Sequence, residues 1–506
     1  MSITAAVRRA ASLAGSNPAY RDGDTWVTWQ GSVTRISALA AALRERGVQP
    51  GSRVATLAGN APRHLEVLYA IWWAGGVIVP INTRLAVDEI RYMLDHSGTA
   101  LIVTDGDSRG SGEAAVRAAA GDPVLVDYDD AALWSEMIAT QPIPDAYPAE
   151  DATAGIFYTG GTTGTPKGVE LTHTNFLFAA MGTHREVRLD SDSVYQHSAP
   201  LFHMADFCLG NGVTLAAGTH SFLPKFSPQN FYEGMRADGV THICLVPTML
   251  ASVLDAPTRD EELLSRVRSI TYGAAPIATA LLERVVATFP NASLQQFYGM
   301  TESCGASTVL PPESHHTGSP QLDSAGRPFL GCEIRVVDGN LDDVPHGTSG
   351  EILMRGPNVM RGYWHDPDRT AEVLADGGWL RSGDIGVLGD DGFLSVVDRL
   401  KDMIVTGGEN VYSGEVEGAL ATHPDVAQCA VVGVPDDLWG ERVHAVVVLR
   451  PGATAAAGEL EAHLRERIAG YKVPKSFELE RSELPVTAVG KIRKNVLREE
   501  WMVKNA

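Results

Sequence analysis

Residues 157–169 read FYTGGTTGTPKGV, and no other stretch of the 506-residue chain gathers so many glycines and hydroxyls around one lysine. Gly160, Gly161, Gly164 and Gly168 let backbone N–H groups turn towards an anion at close range, Thr159, Thr162, Thr163 and Thr165 add side-chain donors, and Lys167 adds a charge. The stretch reads as a phosphate cradle. It is not a Walker loop, which needs Gly and Lys adjacent before Ser or Thr, because Pro166 precedes Lys167 and Gly168 follows it. The apolar run Ile156 to Tyr158 predicts a strand entering the loop, and LTHTNFLFAAMG predicts a helix after it. A Gly- and Thr-rich surface loop is the plain alternative, and stretches elsewhere in the chain decide between the two.

Before the cradle, RVATLAG, GVIVPI and ALIVT alternate as strands with helices over Pro62 to Trp73 and Val87 to His96. This βαβαβ pattern predicts parallel strands with helices on their faces. Trp72 and Trp73, side by side on a helix, read as core. After the cradle come a helix ending near Ala217, a helix opened by SPQN, the strands THICLVP and RSITYG, a helix over Ala278 to Phe289 and the strand LQQFYG, a second layered unit. Beyond Gly318, EIRVVDGN, GEILMRG and FLSVVDR separated by turn residues predict a β-rich subdomain ending near Arg399. The last hundred residues start over as a small α+β domain, with DRLKD (398–402) as the junction.

A chain of this length exceeds one core and implies at least two domains. Its 44% hydrophobic and 20% charged residues are ordinary for a globular protein. The 41 basic and 62 acidic residues give a net charge of −21, which argues against nucleic acid or an anionic membrane surface as partner. Cys208, Cys244, Cys304, Cys332 and Cys429 lie far apart with no CxxC pair, so neither a disulfide framework nor a zinc site is expected, and a reducing cytoplasm fits. No signal peptide and no membrane span is read: the longest apolar run, Val67 to Ile81, is broken by Gly75, Gly76 and Pro80.

Together with YGAAP (272–276), QQFYGMTE (295–302), WLRSGDIG (379–386), DRLKD, TGGENVYSGEVE (406–417) and PVTAVGKIRK (485–494), the cradle resembles the adenylate-forming superfamily of acyl-CoA synthetases, luciferases and amino-acid adenylation domains. The resemblance runs in order over nearly the whole chain. It implies an α/β fold, with a large N-terminal domain of layered α/β units and a β-rich subdomain over 1–399, and a small mobile α+β lid over 400–506. It further implies that Gly161, Thr162, Thr163 and Gly164 take the ATP phosphates with Thr159 and Lys167, that Gly273, Ala274 and Ala275 line the base pocket, and that Gln296, Phe297 and Tyr298 pack around the adenine. Thr301 then meets the α-phosphate, Glu302 helps hold Mg²⁺, and Asp384 and Arg399 bind the ribose diol. A single carboxylate beside phosphates is enough for Mg²⁺.

On the same resemblance, Lys491 is the lid's catalytic lysine, a mobile ammonium that stabilises charge as the substrate carboxylate attacks the α-phosphorus. His203, in PLFHM, sits where acyl pocket and thiol tunnel meet, with a buried structural histidine as its alternative. Ala205 and Leu209, one helical turn apart, face the acyl chain with Gly273, and Asp206 turns aside. Gly407, Gly408 and Lys225 serve coenzyme A, and Lys401 is the hinge. Three positions depart from the pattern: Gly160 stands where Ser is usual, Ser413 replaces Pro and loosens a turn, and Asp206 replaces a small glycine, either capping the following helix or meeting a polar acyl substituent.

The reading is an ATP-dependent acid–CoA ligase for a fatty or aryl acid, releasing AMP and pyrophosphate, with ATP, Mg²⁺ and coenzyme A as its small molecules and homo-oligomers compatible with it. A carrier-loading adenylating enzyme, a luciferase-type oxygenase and a non-catalytic nucleotide binder are its rivals.

Overall fold

The computed structural model describes residues 1–160, 165–273, 277–316, 318–407, 409–436, 438–479, 481–486 and 492–505. The chain divides into two compact units, Met1–Ile334 with Met354–Leu380, and Arg335–Leu353 with Arg381–Ala506.

In the first unit the predicted βαβαβ stretch builds the middle of a seven-stranded sheet. Its order is Gly362–Tyr363, Lys167–Thr172, Thr153–Thr159, Val77–Pro80, Arg53–Leu57, Thr99–Thr104, Val124–Asp127. The strands from Thr153–Thr159 onward are parallel. The helices between them start and stop on local signals: Pro62 opens Pro62–Trp73, and Gly98, with φ 63°, closes Val87–Ser97 in the left-handed conformation. Trp72 and Trp73 are buried, and the Trp72 indole donates to the Ala154 carbonyl at 2.8 Å.

A nine-stranded sheet forms the other layer, in the order Arg327–Pro328, Thr308–Leu310, Ser293–Tyr298, Ser269–Gly273, His242–Cys244, Val194–His197, Thr219–Phe222, Pro18–Asp22, Thr25–Thr28. Its last two strands come from the N-terminal stretch that sequence patterning left unassigned. Pro18–Asp22 lies parallel on Thr219–Phe222, and the buried Trp29 indole donates to the Ala217 carbonyl. Phe157, Phe176, Phe207 and Trp72 interlock with ring centroids 5.1 to 5.9 Å apart, and so join the cradle's entry strand to helices Pro62–Trp73, His173–Glu186 and Met204–Ala216.

The second unit holds the antiparallel pair Trp379–Leu388 and Leu394–Arg399, and a mixed sheet ordered Glu409–Val411, Ile404–Thr406, Gly440–Leu449, Val426–Asp436, with Ser476–Glu478 parallel on Gly440–Leu449. Helices Ser413–Ala421 and Ala457–Arg465 cover one face through Val416, Leu420, Leu460 and Leu464. Lys494–Lys504 covers Ala430, Val432 and Val446 on the other with Leu497. Among the described residues no helix is long and apolar enough to cross a membrane.

Candidate active site

Two paired strands flank the cradle. Thr153–Thr159 runs into it and Lys167–Thr172 runs out antiparallel, with Thr159 opposite Lys167 and Tyr158 opposite Gly168. Patterning missed the exit strand, and the helix begins only at His173, capped by Thr172. Gly161, Thr162, Thr163 and Gly164 lie outside the described residues, as do Ala274, Ala275, Gly408 and Lys491. Gly168 is needed for packing, since a Cβ there would stand 2.8 Å from Ile156 Cγ2, whereas one on Gly160 would meet nothing within 4 Å. The missing hydroxyl at 160 is therefore a change of chemistry without a change of fit. Tyr92 steadies the hairpin by donating to the Pro166 carbonyl at 3.2 Å.

Beside it, Ser269–Gly273 and Ser293–Tyr298 run parallel with Gly273 opposite Phe297, so close that a Cβ on Gly273 would stand 2.3 Å from the Phe297 carbonyl oxygen. Only glycine fits that approach. Behind Gly273 the Tyr272 phenol lies 2.9 Å from His315 Nε2, and burial lowers His315 to about 4, so the imidazole is neutral and accepts. Gln296, Phe297 and Tyr298 are half-buried, and Thr301 and Glu302 follow in a short 3₁₀ turn, with Glu302 buried. Asn358 fixes this turn by donating to the carbonyls of Ser303 and Ala306 at 2.9 and 3.1 Å.

One residue that sequence reasoning missed joins hairpin and turn. Tyr363 lies 3.0 Å from Glu302 Oε1 through its hydroxyl and 3.4 Å from Lys167 Nζ. Its signal was an aromatic pair after glycine in RGYW, too short to stand alone.

Helix Met204–Ala216 starts beside His203, which is half-buried and supplies no side-chain cap. Ala205 is exposed, and Leu209 is buried in a cluster with Tyr195 and Cys244 against which Phe297 packs. Asp206 does turn aside, but it neither caps the helix nor is it placed for a substituent. Fully buried, it accepts from Tyr195 Oη at 2.7 Å and lies 2.6 Å from His197 Nδ1, whose Nε2 lies 2.9 Å from His220 Nδ1. Burial, then the Asp206 charge, pushes the Tyr195 phenol up, which keeps it a donor. Lys225 is exposed on a loop.

In the second unit Asp384 stands opposite Arg399 across the hairpin, with Arg399 Nε 3.0 Å from Asp384 Oδ1. Lys401 is exposed just beyond, and Gly407, at φ 59°, lies against the Trp439 ring. Ser413 corrects an expectation. Rather than loosening a turn, it is fully buried, donates to Asp398 Oδ2 through its N–H and, at 2.7 Å, through its hydroxyl, and accepts from Lys494 Nζ at 2.6 Å. A proline there has no N–H to give.

Residues 7–364 match the family described as AMP-binding enzyme, and residues 415–491 match the AMP-binding enzyme C-terminal domain. A feruloyl-CoA synthase of Amycolatopsis sp is 39% identical over 497 residues, covering 97% of this chain and 98% of the relative. A fatty acid–[acyl-carrier-protein] ligase, ScoC, of Streptomyces coeruleorubidus is 35% identical over 470 residues, covering 92% and 89%. The structure of o-succinylbenzoate CoA synthetase from Bacillus subtilis, in complex with its acyl-adenylate intermediate, superposes with a TM-score of 0.85 at 31% identity over 97% of each chain.

Proposed function

The chain belongs to the AMP-binding enzyme family, and from that premise we propose that it is an AMP-forming acid–CoA ligase whose substrate is an aryl carboxylic acid. A carboxylic acid and ATP give an acyl-adenylate and pyrophosphate, and the coenzyme A thiol then displaces AMP to form the thioester. The observation that carries the reading is Lys167, on the strand that leaves the Gly/Thr stretch, and the buried Glu302 meeting one phenol beside a strand pair so tight that it admits only glycine at 273. An aryl acid is favoured over a fatty one by the 39% identity to a feruloyl-CoA synthase.

In this reading Thr159, the 161–164 glycines and threonines, and Lys167 take the phosphates. Gly273 to Ala275 and Gln296 to Tyr298 take the base, Thr301 the α-phosphate, and Asp384 with Arg399 the ribose. Glu302 suits Mg²⁺ because one phenol bond leaves acceptor capacity on its carboxylate, and the ion, once bound, neutralises phosphate charge. His203 and Ala205 border the acyl chain, and Lys225, Gly407 and Gly408 border coenzyme A. The joint between the working parts lies at 399/400, with Lys401 as the pivot, and the enzyme works in the cytoplasm.

A screen of aryl and fatty acids for ATP-dependent AMP release, with and without coenzyme A, tests the reading. Steady turnover is expected only when an aryl acid and coenzyme A are both present; fatty-acid preference, or turnover only with a carrier protein as for the ScoC name, overturns it. Lys491→Ala is expected to lower adenylation by ~10²-fold or more, while thioester formation from supplied acyl-adenylate is retained.

A further inference from the structure

The strand Gly362–Tyr363 belongs neither to the cradle nor to the Thr301–Ser303 turn, yet it is tied to both. Met360 N–H donates to the Glu302 carbonyl at 2.8 Å, Trp364 N–H to the Gly168 carbonyl at 2.7 Å, and Tyr363 N–H to Thr370 Oγ1 at 2.8 Å. Tyr363 pairs in register with Val169, two residues beyond Lys167, and is 6% exposed. Its ring centroid lies 4.4 Å from the Lys167 ammonium.

The proton on this phenol has one place to go. Lysine offers donors and no acceptor, so the O–H donates to Glu302 Oε1 at 3.0 Å while the oxygen faces Lys167 Nζ at 3.4 Å. A lysine and a glutamate reaching towards one atom could instead pair directly, and each would then cancel the charge the other offers to a ligand.

We propose that Tyr363 is a positioning residue for adenylation: it holds the Lys167 ammonium and the Glu302 carboxylate apart, leaving the first open to a phosphate oxygen and the second to a divalent cation carried by ATP. This rests on the function proposed above. Attack by a thiol on a finished acyl-adenylate comes after pyrophosphate and the cation carried with it have left, so the two half-reactions separate this role from a structural one.

Tyr363→Phe keeps the ring beside Lys167 and deletes the hydroxyl. ATP binding in magnesium buffer without acid, measured by calorimetry, is expected to weaken ~10-fold, the scale of one hydrogen bond to a charged group. Acid-dependent pyrophosphate exchange falls with it, while thioester formation from supplied acyl-adenylate stays within about twofold. In a Glu302→Gln background the same deletion is expected to change ATP binding by less than about twofold, because the partner charge is already gone. Tyr363→Leu, which removes the ring as well, weakens binding further. Parental ATP affinity in Tyr363→Phe overturns the proposal, and so does an equal fall in both half-reactions, the mark of a damaged fold. A parent enzyme that binds no ATP and releases no AMP overturns the functional reading instead.

Discussion

Two places in the molecule each bring a cation and a carboxylate close together and treat them oppositely. Across Trp379–Leu388 and Leu394–Arg399 the register sets Asp384 against Arg399, and the charges meet at 3.0 Å. At the exit of the cradle hairpin, Lys167 and Glu302 each stop at the Tyr363 phenol. A closed pair is nearly neutral and offers an acceptor beside donors, which suits hydroxyl groups. An interrupted pair keeps both charges for ligands that are charged themselves. With the Arg399 side chain 48% exposed, the closed pair contributes about 1 kcal/mol or less to stability.

The largest expected effect is at the interrupted pair. Glu302→Ala is expected to lower acid-dependent pyrophosphate exchange by ~10²-fold or more. An enzyme that kept its exchange rate would erase the contrast between the two pairs.

Asp206 sharpens the comparison from the other side, as a carboxylate whose two oxygens are both engaged, by Tyr195 and His197, inside the protein. Asp206→Ala leaves those partners unsatisfied and is expected to destabilise the fold by about 2–4 kcal/mol in urea unfolding, with acid preference unchanged. Ala205→Trp should do the reverse, changing preference and not stability. A shifted acid profile in the Asp206 variant would place that carboxylate with the ligand-facing ones.

At the closed pair, Asp384→Asn keeps the shape and removes the charge, so a rise of about 5- to 10-fold in the KM for ATP is expected. No change in KM would reduce the pair to a surface contact. The smallest effect is at Gly160, where a side chain has open space. Gly160→Ser is expected to tighten ATP binding by about two- to threefold through one added donor, without loss of melting temperature.

What the sequence disclosed, and what it hid, follows the range of the interactions. Pro62 and Gly98 bound their helices by local backbone preference, and both helices were legible to within a residue. Lys167–Thr172 was not, because Pro166 and Gly168 punctuate it like a turn, and only its pairing with Thr153–Thr159 makes it a strand. The N-terminal hairpin was hidden for the same reason, its place being set by Thr219–Phe222, far along the chain. Gly273 was named only through the resemblance, and its close approach to the Phe297 carbonyl emerges only from the strand pairing. Tyr363 was hidden because it joins Lys167 and Glu302 from positions that no spacing rule connects, and Asp206 looked like a cap until Tyr195 and His197 were seen around it.

Ser413 carries one more consequence. A proline at that position restricts the unfolded chain as well as the folded one, a restraint worth about 0.4–1 kcal/mol where the geometry allows it. Serine leaves the unfolded chain free and supplies order only once Asp398 has arrived to accept its N–H and hydroxyl. The start of helix Ser413–Ala421 is thereby set by a partner outside the helix, so the order of this corner depends on the strand Leu394–Arg399 that carries Asp398.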